Sequence, residues 1–162
     1  MVRLSGFFKN VSIILTAIIL LIVYAFLGEK PGVLFDDAGN SIYSISRDLF
    51  FYLFFAGGII VNILFHIFRV HYLKKSRMTP ISGNDQGALE ILSSWWNFLI
   101  LSINIFISVF LIFTALANNA WDYKFGSIAL LPTLGVVPMV IALLAFPVLY
   151  LINIRNLRKR IL

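Results

Sequence analysis

The chain has 162 residues, of which 60% are hydrophobic and only 12% charged, and its mean hydropathy is +0.96. Soluble domains carry about a quarter charged residues, so this composition excludes a water-soluble bundle. The absence of cysteine removes disulfides, thiolate metal sites and a cysteine nucleophile, and the net charge of +6 has to be interpreted from where the charges sit.

Four apolar runs, at about 11–27, 49–68, 91–117 and 125–152, take up most of the chain. A helix rises about 1.5 Å per residue across a hydrocarbon core about 30 Å thick, so roughly 20 apolar residues are needed to cross it. All four runs approach or exceed that length. The expected fold is therefore all-α: an integral membrane four-helix bundle forming a single transmembrane domain over residues 1–162.

The first run follows Arg3 and Lys9, as a signal peptide would, but it is longer than the usual apolar core and Tyr24-Ala25-Phe26-Leu27 offers no small-x-small cleavage site. It is read as a plainly apolar spanning helix. The connection that follows, 28–47, holds Val33-Leu34-Phe35, the turn formers Asp36-Asp37-Ala38-Gly39-Asn40, and then Ile42, Tyr43, Ser44 and Ile45. That order predicts a small hairpin or a partly structured outer loop. Its acids lack the alternating oxygen ligands and distant glutamate of an EF-hand, so they read as a polar turn.

The second run carries Asp48, Tyr52, Gly58, Asn62, His66 and Arg69 within an arc of roughly 120°. After it, 74–89 is polar and turn-rich and reads as a connector. The third run places Glu90, Ser94, Asn97, Asn104 and Ser108 on one face in the same way. The connection to the fourth run is short, which makes the last two helices antiparallel neighbours. Trp95 and Trp96 near one end of the third helix, with Trp121 and Tyr123 after the other, are expected in the aromatic belts at the headgroup level. In the fourth run Pro132, Pro138 and Pro147, with Gly135, predict a bent or locally opened helix, either as kinked packing or as a hinge.

Ten of the 13 Lys and Arg residues fall before the first run, after the second and after the fourth; only Lys30, Arg47 and Lys124 lie on the other side. By the positive-inside rule, both termini are cytoplasmic in a multi-pass protein of a plasma or inner membrane. The basic balance is thus accounted for by topology, and no soluble face is left for nucleic acid.

Polar groups in hydrocarbon cost free energy unless partnered, so the two stripes hold the candidate site. Counting from the helix ends puts Asn62 and Asn97 at similar depth, with His66 shallower, Glu90 near the mouth and Asn104 roughly 10 Å deeper. The expectation is a seam between helices two and three built from Asn62, His66, Glu90, Asn97 and Asn104. No metal site is expected, since His66 and His71 point about 140° apart.

No nucleophile elbow, phosphate loop or H-E-x-x-H motif occurs, so no catalytic residue and no cofactor is expected. The reading is a non-catalytic structural or complex-forming subunit. Its partners are the bilayer and a membrane protein or a second copy of the chain. The alternatives are a small transporter or channel subunit using the His/Asn cluster and, third, a membrane enzyme acting on lipid.

Overall fold

A computed structural model describes residues 2–78, 86–119 and 125–161. The elements are α1 (Val2–Phe26), β1 (Gly32–Phe35), β2 (Ser41–Ser44), α2 (Arg47–Met78), α3 (Gln86–Asn118), α4 (Phe125–Ile128) and α5 (Leu131–Ile161). Among the described residues, four helices are long and apolar enough to cross a membrane: Val2–Phe26, Arg47–His71, Glu90–Asn118 and Gly126–Ala145. By length and composition this is a multi-pass membrane protein.

The helices outrun the apolar runs that announced them. α1 begins at Val2, α2 continues to Met78 and α3 starts at Gln86. Apolar length reports what fits in hydrocarbon, whereas a backbone in helical conformation continues until a cap or breaker stops it. Ser46 begins α2: its hydroxyl accepts from the Leu49 amide at 3.2 Å and its carbonyl accepts from the Phe50 amide at 2.9 Å. The fourth run, expected as one helix from 125 to 152, is divided. α4 stops at Ile128, and the chain turns through Ala129 and Leu130 before α5 begins. The reason is Pro132, which has no amide proton and whose ring crowds the carbonyl four residues earlier. It therefore sits in the first turn of α5, where proline is well tolerated, and is not an interior hinge. Pro138 and Pro147 do lie inside α5.

α3 is the centre of the bundle. In its most apolar 18-residue stretch 44% of residues are buried, against 6% in that of α2, and its largest interfaces are with α1 and α5. α1 and α3 run parallel in a constant register: Asn97 bonds Ser5 and Ser108 bonds Thr16, each 92 residues apart. α2 runs antiparallel to α3, with Arg69 bonded to Ser93 and Asn62 to Asn104. α5 is antiparallel as well. Its Gly135 is buried against α3 so closely that an added Cβ would lie 3.1 Å from Val109 Cβ and 3.4 Å from Phe106 Cδ2. Only a residue without a side chain permits that approach.

Two apolar clusters are formed, one on either side of a polar layer. One joins Leu20, Val23, Leu27, Phe50 and Leu111; the other joins Trp95, Leu99 and Ala142. β1 and β2 pair antiparallel between α1 and α2, with Gly39 at φ 89° in the turn. Asn118, at the end of α3, holds this unit: its Oδ1 accepts from the Gly32 amide at 2.6 Å and its Nδ2 donates to the Gly32 carbonyl at 2.9 Å.

Candidate functional site

The polar layer is built by three helices. Asn62 on α2 and Asn104 on α3 form a reciprocal amide pair. Asn62 Nδ2 donates to Asn104 Oδ1 at 3.1 Å, and Asn104 Nδ2 donates to Asn62 Oδ1 at 3.0 Å. The second proton of each amide goes back one turn, to the Gly58 carbonyl at 2.8 Å and the Ile100 carbonyl at 2.8 Å. All four N–H groups are thus used, which is how a polar side chain can sit at 1% exposure within a bundle.

α1 completes the layer. Thr16 Oγ1 lies 2.9 Å from the Ser12 carbonyl, 3.2 Å from the Asn104 carbonyl and 2.8 Å from Ser108 Oγ. One hydroxyl proton serves one carbonyl at a time, so Ser108 donates to Thr16 while Thr16 donates to a carbonyl. Ser12 in turn donates to the Lys9 carbonyl at 2.7 Å. These α1 groups belong to a part of the chain that reads as plainly apolar, and that reading is corrected here. The signal was present: Ser5, Lys9, Ser12 and Thr16 recur at i, i+4, i+7 and i+11, a single helical stripe.

Of the five residues expected in one cluster, hydrogen bonds join only Asn62 and Asn104, and His66 shares a cleft with Asn62. Asn97 faces α1, where its Nδ2 donates to Ser5 Oγ at 3.1 Å; it is buried, and its Oδ1 has no partner. His66 is exposed and lines a cleft with Lys9, Ile13, Asn62, Ile63 and Ile100. Glu90 is exposed at the start of the α3 span. Ser94, from the same stripe, has a buried hydroxyl without a partner. Arg69 is half-buried and donates through Nη2 to Ser93 Oγ at 2.9 Å; Ser93 stands outside the expected stripe.

The tryptophans differ from one another. Trp95, expected at the headgroup level, is buried between α3 and α5, and its indole N–H donates to the Ala142 carbonyl at 2.7 Å. Its polar handle is therefore directed into the bundle. Trp96 is half-buried and lies edge-on to Trp95 and Phe65 at 5.0 and 6.3 Å between centroids. Trp121 and Tyr123 lie outside the described residues.

At the opposite end, Tyr24 donates to Asp48 Oδ1 at 2.9 Å while the Arg47 guanidinium lies 4.8 Å over the Tyr24 ring. In the turn between the strands, Asn40 donates to both oxygens of Asp36, by its backbone amide at 2.7 Å and its Nδ2 at 2.9 Å. These bonds, the side-chain one first, hold the Asp36 carboxyl below the usual carboxylate range. A carboxylate occupied in this way leaves little for a cation, and among the described residues no three His, Cys, Asp or Glu side chains gather as a metal site would require. No family model matches the chain, and comparison with curated proteins and with solved structures finds nothing similar.

Proposed function

We propose that this is a non-catalytic structural or complex-forming membrane subunit whose polar layer fixes the register of its helices. The observation that carries the reading is the reciprocal Asn62–Asn104 pair, in which every amide proton is already committed. A site that binds or relays a solute needs groups left over for the solute; a pair bonded to itself acts as a bolt, on the order of 1 kcal/mol per bond between helices. The complex-forming part of the reading is supported by α2, the least covered span, where an added Cβ at Gly57 or Gly58 would meet nothing within 4 Å. The distribution of Lys and Arg supports cytoplasmic termini and an outward-facing hairpin in a plasma or inner membrane.

The test is Asn104→Leu in the purified, liposome-reconstituted chain. Removing one amide strands the other, so unfolding stability in detergent should fall by about 1–3 kcal/mol. Asn62→Leu with Asn104→Leu should cost less than the sum of the single changes, and proton or solute flux should stay at background throughout. Flux that depends on Asn62, Asn104 or His66 would replace this reading with the transporter.

A further inference from the structure

Two cations flank the apolar runs at one end of the bundle and are not neutralised among the described residues. Lys9 stands seven residues inside α1 and Arg69 two residues before the end of the α2 span, and both are half-buried. Among the described residues neither forms an ion pair. Arg69 spends one amino group on Ser93 and keeps a buried Nε with no partner. Glu90, at the same end of the bundle, is exposed and does not pair with them. Two half-buried cations beside the apolar runs are costly to leave uncompensated, and an acidic headgroup is the counter-charge that the membrane surface supplies.

Beside them is a cleft of about 210 Å³ formed by α1, α2 and α3, lined by Lys9, Ile13, Asn62, Ile63, His66 and Ile100. Its surface is almost wholly apolar: the walls are isoleucine, Lys9 and His66 border it, and Arg69 stands one turn beyond His66 on α2. We propose that an anionic phospholipid binds here, an acyl chain lying in the cleft along Ile13 and Ile63 and the phosphate at its rim beside Lys9, His66 and Arg69. Arginine and lysine are the usual partners of phosphate, and basic pockets between membrane helices hold acidic headgroups. The volume is below the roughly 300–1,000 Å³ of a pocket that encloses a whole drug-sized molecule, which suits part of one acyl chain with the headgroup outside at the rim. The isoleucine walls favour this source over a soluble phosphate. The site needs only the membrane-spanning helices and is independent of the structural role proposed above.

Native mass spectrometry of the full chain from nonionic detergent tests this, with phosphatidylglycerol, phosphatidylcholine and inorganic phosphate as the probes. One phosphatidylglycerol should be retained in preference to phosphatidylcholine. Lys9→Gln with Arg69→Gln should weaken that retention roughly tenfold, as loss of two cation contacts implies. Arg69→Lys should keep most of it, and Lys30→Gln, on an exposed residue in the loop between α1 and β1, should change nothing. Should the double variant not fold, the competition on the unmodified chain decides alone. Equal retention of the two lipids overturns the proposal, as does retention unaffected by the double substitution. Inorganic phosphate displacing the lipid at equal concentration assigns the cleft to a soluble anion and overturns the lipid reading.

Discussion

Which residues meet across α2 and α3 depends on a count of turns. Taking each helix to start and stop with its apolar run places Asn62 opposite Asn97. Yet Asn62 lies 16 residues before Met78 and Asn104 lies 18 residues after Gln86. At helical rise these are about 24 and 27 Å from the shared end, so Asn62 meets Asn104 and Asn97 turns toward Ser5. The polar stripes were legible in the residues, but their vertical alignment was not, because it depends on helical turns that lie beyond the apolar boundary. Asp36 is a second case of local chemistry. Its folded pKa lies below the ordinary 3.8, so the Asn40 bonds support the turn fully above that value and are lost as pH falls through the depressed one. In an NMR titration Asp36 should protonate below its ordinary value, and Asn40→Ala should bring it back up.

Among the elements, α3 does most to hold the others. Its Asn118 binds both backbone groups of Gly32, its middle carries the polar layer and its Val109 receives the close approach of α5. Gly135 appeared in the sequence as part of a proline-rich hinge; its place in the fold is a contact between helices. Gly135→Val should overpack that contact and lower stability by about 1–3 kcal/mol, measured as a loss of melting temperature in detergent. Combining it with Val109→Ala should restore part of the loss. Pro132 shows the reverse, a residue whose chemistry was plain but whose position was not. It opens α5 because the helix before it ends at Ile128, and no periodicity marked that break.

For the molecule as a whole, the asymmetry of Lys and Arg makes a testable statement about orientation. The chain has no cysteine, so single introduced thiols report without background. A membrane-impermeant maleimide applied to intact cells should label Ser41→Cys and leave Ser82→Cys unlabelled; the opposite pattern would invert the topology. Length and hydropathy by themselves determined that the chain has four helices long and apolar enough to cross a membrane, since burying some 20 apolar residues in hydrocarbon needs no partner to be favourable. The tertiary structure decided which polar groups are spent and which remain. Lipid is as apolar as leucine, so the pairing of helices rests on local packing and hydrogen bonds. Those bonds pair Asn62 with Asn104, draw α1 into the layer through Thr16, and leave Lys9 and Arg69 without a counter-charge among the described residues.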